Sequence, residues 1–264
     1  METEVFVRLG IFFGIFGLMA VLETVFPRRK RVYSRKERWP ANFAISLIST
    51  LIGRYSLPFT ALTAAEFAKD NGLGLFNVES IEPWLAVLFS VVFLDLVVYW
   101  QHRIFHLIPI LWRFHIVHHI DEDLDVSSGA RFHPIEICLS LVIKIFVILS
   151  LGVPVLAVLI FEVILNAMAM FNHANVRIPT SIDLVLRKIV VTPDFHRIHH
   201  SVRGNEHRSN YGFNFSLWDY LFGSYVSEPE EGQDNFKIGL DGYHTPKKSR
   251  NILYMLSMPL RRQL

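Results

Sequence analysis

Five apolar segments, at about 5–26, 41–63, 82–101, 135–151 and 153–172, dominate the chain. Each has roughly the 20-residue length that a helix needs to cross the hydrocarbon core of a bilayer. The bilayer interior offers no partner to backbone N–H and C=O groups, so segments of this kind cross it only as helices. With 52% of the 264 residues hydrophobic, the expected fold is all-α: an integral membrane helical bundle of about four to five transmembrane helices. The second segment is interrupted by Arg54 and Pro58, so it either spans as a broken helix or re-enters. The single cysteine, Cys138, excludes an internal disulfide and a cysteine-based zinc site, and its apolar surroundings read as those of a buried thiol.

Charge sets the expected orientation. The first residues, METEV, lack the basic start of a cleaved signal, and the basic residues follow the apolar run instead. Residues 5–26 therefore read as a first membrane helix, with Arg8 and Glu23 near its ends and able to reach the interface. Arg28, Arg29, Lys30, Arg31, Arg35, Lys36 and Arg38 then crowd one short loop in which Glu37 is the only acid. The positive-inside rule places that loop in the cytoplasm, with Trp39 as an interfacial anchor. Alternation puts the N-terminus and an acidic loop at 64–81 (Glu66, Asp70 and Glu79 against Lys69) outside. The last two spans form a hairpin with its tip at Leu151-Gly152-Val153-Pro154. Every histidine then falls at the cytoplasmic face, as does the basic end Lys247, Lys248, Arg250, Arg261 and Arg262. The organisation reads as an N-terminal transmembrane region (1–90), a catalytic region (91–225) and a cytoplasmic tail (226–264). In the polar stretch from about 174 onward, the aromatic run 217–223 is expected against the histidines or on the membrane surface, and 227–235 as a solvated loop. The net charge of +2 is small, and no nucleic acid partner is expected.

The third span runs straight into His102-x-x-x-His106 and His115-x-x-His118-His119, five histidines within 18 residues. His196-x-x-His199-His200 repeats the second spacing. On a helix, positions i, i+3 and i+4 share a face, so His102 and His106 can meet one ion. Adjacent histidines diverge by about 100°, so each HxxHH box can serve two ions. Three boxes suggest a two-metal cluster built almost wholly of imidazole, a ligand suited to zinc, iron, copper and nickel. His173, closing the last span, is a candidate ninth ligand, with a buried hydrogen-bonded histidine as the alternative.

Other residues stand near the boxes. His133 reads as a ligand, a residue orienting a ligand, or an interfacial residue. Asp95, Tyr99, His102 and His106 share one helical stripe, so Asp95 is placed to orient a ligand ring, through Tyr99, or to make an interhelical polar contact. Asp194 and Arg131 flank the boxes and are candidates to pair across the site. His207 and His244 sit in polar surroundings and read as surface histidines.

These motifs resemble the fatty acid hydroxylase / sterol desaturase superfamily of membrane non-haem di-iron enzymes. The resemblance rests on the three boxes with Leu111-Trp112, on Arg131-Phe132-His133-Pro134, Asn172-His173-Ala174-Asn175 and Thr192-Pro193, and on Asn210-Tyr211-Gly212 with Trp218-Asp219 and Phe222-Gly223. It covers about 95–225. It implies a cytoplasmic histidine-rich helical cap over two iron ions held by the box histidines and His173, with zinc able to replace iron in purified protein. It also implies O2 as co-substrate, a separate electron donor of ferredoxin or cytochrome type, and oxidation of a lipid C–H bond in a bacterial-type inner membrane.

Hydroxylation is the leading expectation and desaturation the alternative. A hydrolytic dizinc enzyme is disfavoured, because no HExxH-type base accompanies the boxes. A histidine-based metal transporter or sensor is the reading from another class, although a transporter should carry its ligands near mid-membrane. Sterol, fatty acyl chain, sphingoid base, carotenoid and ether lipid all remain open as substrates.

Overall fold

A computed structural model describes residues 2–79, 81–240 and 249–261. Among them there is no β-strand; only isolated bridges such as Pro27–Val176 and Val190–Phe215 occur. Five helical stretches are long and apolar enough to cross a membrane: Arg8–Val25, Arg35–Val78, Pro83–Leu107, Pro134–Leu151 and Val155–Asn172.

Helix α1 (Glu2–Val25) leads to α2 (Arg35–Ser56), which starts earlier than the apolar pattern suggests. Glu37 caps its first turn by accepting from Ser34 N and Oγ. The expected interruption is real. The chain becomes extended at Leu57, and Thr60 caps a new helix, α3 (Ala61–Asp70). The stretch expected as a loop at 64–81 is thus largely helical, continuing to α4 (Leu75–Val78). Ala61, Ala64, Ala65 and Ala68 are buried, and these small side chains let α3 lie close against its neighbours.

The remaining spans are α5 (Pro83–Leu107), α7 (Pro134–Leu151) and α8 (Val155–Asn172), with α6 (Pro109–His119) between the first two. Both α2 and α3 pack on α7, and α1 and α5 pack on α8. Gly152, at φ +67°, turns α7 into α8, and a Cβ on Gly74 would fall 2.0 Å from the Gly152 nitrogen. The α3–α4 turn is therefore clamped to the hairpin tip. Outward faces carry Phe13, Leu47, Trp84, Leu88 and Phe146, all exposed, as helices facing lipid require. Cys138 is half-buried rather than enclosed.

At the other end, five helix termini converge under a cap of short helices: α9 (Thr180–Leu186), α10 (Pro193–His199), α11 (Gly204–His207), α12 (Leu217–Leu221) and α13 (Ile252–Ser257). The basic loop is built into this cap. Arg38 is fully buried and forks onto Asp121 at 3.0 and 2.7 Å and onto Asp125 at 2.5 Å. Glu23 does not reach an interface. It is buried, takes Arg31 and Arg35, and accepts from the backbone nitrogens of Val126 (2.6 Å) and Asn175 (3.0 Å). Arg8 likewise turns inward, to Glu162 of α8. The aromatic run at 217–223 packs inward through Phe222, stacked on Tyr99, while Leu217 and Leu221 stay exposed. His244, Lys247, Lys248 and Arg262 lie outside the described residues.

Candidate metal centre

The histidines are delivered by helix ends. Helix α5 carries His102 and His106 on its final turns, and Pro109 at the first position of α6 reverses the chain at once. Helix α6 then returns His115, His118 and His119 to the same place. His173 closes α8. Helix α10, capped by the Thr192 side chain accepting from Phe195 N, brings His196 and His199, with His200 just beyond its end.

These nine side chains are all buried and form two groups. His102, His106, His115, His119 and His199 make one; His118, His173, His196 and His200 make the other. In each group the candidate ligand atoms lie within 4.8 Å of one another. Each adjacent pair, His118–His119 and His199–His200, is split between the groups, as helical divergence predicts.

Ring-nitrogen chemistry tests whether this set fits metal. Five Nδ1–H groups donate to protein oxygens: His102 to Tyr211 O (2.8 Å), His115 to Glu136 Oε1 (2.6 Å), His118 to Arg131 O (3.2 Å), His173 to Ala169 O (2.8 Å) and His199 to Ser209 O (2.7 Å). Each such bond fixes the tautomer and leaves Nε2 as a lone pair. The Nε2 atoms of His118 and His173 nonetheless stand 3.1 Å apart. No proton is available between them, so a shared cation is what this geometry accommodates. The Nε2 pairs His173–His196, His196–His200 and His115–His119 lie at 3.1–3.2 Å. With metal–imidazole bonds of about 2.0–2.1 Å, neighbouring ligands fall about 2.9 Å apart at right angles and about 3.4 Å apart in a tetrahedron. The observed spacing lies between. His102 Nε2, His199 Nε2 and both nitrogens of His106 are buried without a hydrogen-bond partner among the described residues, a costly state that ligation relieves.

Electrostatics point the same way. Burial first, then the neighbouring imidazoles, hold His118, His119, His196, His199 and His200 well below the ordinary imidazole value, and burial takes His173 down to about 4. The rings are neutral at pH 7 and ready to ligate. Around them, burial raises the Asp121 carboxyl, but Arg38 and Arg131 overcome it and hold the group down to about 2.

The residues named beside the boxes take other places. His133 stands apart from both groups. It caps α7, its Nδ1 accepting from Ile135 N, and its Nε2 lies 3.3 Å from Leu256 O. Asp95 meets no histidine. It accepts from Asn214 N, Phe215 N and Trp218 Nε1, anchoring the segment whose Tyr211 carbonyl orients His102. Tyr99 bonds Ser224 and Arg103 instead of Asp95. Asp194 and Arg131 do not pair: Asp194 takes Arg28 and Arg197, while Arg131 lies 3.5 Å from Asp121. His207 is no surface residue. It is half-buried and stacked on Trp112 at 5.7 Å, 6.1 Å from His106. Asn210-Tyr211-Gly212 forms a turn, with Asn210 at φ +52° and Asp219 accepting from the Tyr211 and Gly212 nitrogens. Glu136 escaped the sequence reading. An acid inside an apolar segment was the signal, the same one that drew attention to Asp95.

Beneath the histidines a cavity of about 250 Å³ runs between α5, α7 and α8. His102, His115, His118 and His196 line it, together with apolar side chains such as Leu94, Val98 and Phe161.

Buried histidine groups able to hold metal thus stand at the head of a mainly apolar cavity between membrane-length helices, and sequence comparison names the family that carries such a site. The chain belongs to the fatty acid hydroxylase family, whose profile matches residues 87–224. It is 30% identical to the ornithine lipid hydroxylase OlsE of Rhizobium tropici over 264 residues, 96% of this chain and 75% of that protein. It is 29% identical to the alkylglycerol monooxygenase of Homo sapiens over 158 residues, 60% of this chain and 34% of that protein. It is also 26% identical to a Delta(7)-sterol-C5(6)-desaturase of Nicotiana tabacum over 224 residues, 78% of this chain and 76% of that protein. No solved structure gives a significant match. The chain is accordingly an oxidoreductase of a family that modifies lipids.

Proposed function

We propose that this protein is a membrane di-iron oxygenase that hydroxylates a C–H bond of a polar membrane lipid. It would use O2 and electrons from a separate ferredoxin- or cytochrome-type donor, with its metal centre at the cytoplasmic face of a bacterial-type inner membrane. The observation that carries the proposal is the pair of Nε2 lone pairs, on His118 and His173, facing each other 3.1 Å apart beside the cavity. The similarity to an ornithine lipid hydroxylase over 96% of the chain supports the choice of hydroxylation and of a polar lipid.

His102, His106, His115, His119 and His199 would hold one iron, and His118, His173, His196 and His200 the other. When bound, the irons supply the activation of O2. The chain's own residues do the rest. Backbone carbonyls of Tyr211, Ser209, Arg131 and Ala169 and the carboxylate of Glu136 hold five imidazole rings in the ligating tautomer. The apolar wall excludes water and presents the lipid below the histidines.

Metal analysis of protein purified anaerobically, paired with lipid mass spectrometry of cells with and without the gene, tests this. About two irons per chain and a lipid gaining one oxygen atom only when the gene and air are both present are expected. Zinc-only protein that moves metal across vesicles and oxidises nothing would point to the transporter class instead. A lipid losing two hydrogens would convert the reading to desaturation.

A further inference from the structure

The cavity is not uniformly apolar. Glu136, Ser140 and Lys144 all line it. They are spaced i, i+4 and i+8 on α7, so they form one stripe, about 12 Å long at 1.5 Å per residue. Gln101 of α5 faces the stripe and donates to Ser140 Oγ. Glu136 Oε1 takes the His115 Nδ1–H, but Oε2 of the same carboxylate is buried with no hydrogen-bond partner among the described residues, and the residue is 4% exposed. At the far end Lys144 lies 3.4 Å from Glu162 of α8. The lane thus starts with an unused carboxylate oxygen beside the metal centre, passes a hydroxyl and an amide, and ends at an ammonium in mid-helix. Gln101 satisfies Ser140 and Glu162 satisfies Lys144, but a pure hydrocarbon occupant would leave Glu136 Oε2 unpaired. Ionisable side chains within a membrane span commonly mark a functional path.

Resting on the oxygenase reading above, we infer that the lane binds the polar part of an amphiphile headgroup-first: a hydrogen-bond donor, ammonium or hydroxyl, on Glu136 Oε2, and carbonyl or carboxylate acceptors along Gln101 and Ser140 to Lys144. The acyl chain follows against Leu94, Leu141 and Phe161. The C–H bond beside the irons then belongs to the headgroup, not to the chain.

Two readouts test the inference on the full-length protein in detergent. In the first, binding of N-palmitoyl-lysine is compared with N-palmitoyl-norleucine, which lacks the ammonium, and with hexadecanol, by native mass spectrometry of metal-free protein. A charge-assisted hydrogen bond predicts a roughly ten- to hundredfold preference for the lysine form. Glu136→Gln should erase that preference. Lys144→Met and Gln101→Leu should weaken both acyl amino acids while leaving hexadecanol unchanged. Ser140→Ala, which spares the Lys144–Glu162 link between α7 and α8, repeats the measurement if Lys144→Met does not fold. Equal binding of all three probes, or indifference to every variant, overturns the inference. In the second readout, fragmentation of the cellular product locates the added oxygen. Oxygen in the headgroup fragment supports headgroup-first entry, and oxygen in the acyl fragment overturns it. Headgroup-selective binding with no oxygen insertion at all upholds the lane and defeats the oxygenase reading instead.

Discussion

His118 and His173 set the hardest local constraint. Both give their Nδ1–H to backbone carbonyls, so neither can bridge the 3.1 Å between their Nε2 atoms with a proton. His118→Ala removes one donor from a group of four and leaves the other group whole. Iron should fall from about two toward about one per chain, with lipid oxidation reduced at least a hundredfold, about 3 kcal/mol in barrier terms. Full metal content in folded His118→Ala protein would contradict the assignment. Gly129 reaches the same group from behind. A Cβ there would sit 2.3 Å from Ala169 O and 3.3 Å from His173 Nδ1, against the carbonyl that orients that ring. Gly129→Ala must displace the end of α8, an overpacking cost of about 1–3 kcal/mol. A lowered melting temperature together with weaker iron retention is expected, and a variant with wild-type values for both would show that α8 yields without cost.

At the scale of elements, the site depends on how distant segments fold onto helix ends. Asp95 illustrates what sequence can and cannot supply. Helical phase correctly places it on the stripe leading to His102 and marks it as needing a partner. It does not reveal that the partners are Asn214, Phe215 and Trp218, about 120 residues onward. The split of His118 from His119 was legible because it is local geometry within one helix. Glu136 and His207 were not legible in the same way, since their roles are set by what packs over them. Asp95→Ala should release the 213–218 segment and with it the Tyr211 carbonyl. Outer contacts of this kind typically control metal affinity by about 10–100-fold. Iron should therefore be lost first from the five-histidine group, read as reduced content in a chelator titration against wild type. Loss from both groups in parallel would mean that the segment supports the whole cap and not His102 in particular.

Across the whole molecule, hydropathy laid out the spans, and local helix breakers announced the α2–α3 interruption. The basic loop carried a second message that charge counting does not show. Arg38 leaves solvent to join Asp121 and Asp125 beneath the cap, so residues that read as orientation signals also hold the cap on the bundle. This polar cap packs nine imidazoles together, and its stability must therefore depend on protons. In the unfolded chain each histidine takes up a proton near pH 6.5. In the folded, metal-free chain, burial and neighbouring rings keep His118, His119, His196, His199 and His200 neutral far below that, and His173 to about 4. Between those values the unfolded state binds more protons, so stability is complete above about pH 6.5 and declines as pH falls. Each ring contributes about 1.4 kcal/mol per pH unit in that window. The melting temperature of metal-free protein should be level above about pH 7.5 and drop steeply between about 6.5 and 5. Loading with iron should move the decline to lower pH, because protons must then displace the metal before they reach the rings. A flat profile for the metal-free protein down to about pH 5 would mean that the imidazoles are hydrated and chargeable in the folded state, and the closed cap would have to be abandoned.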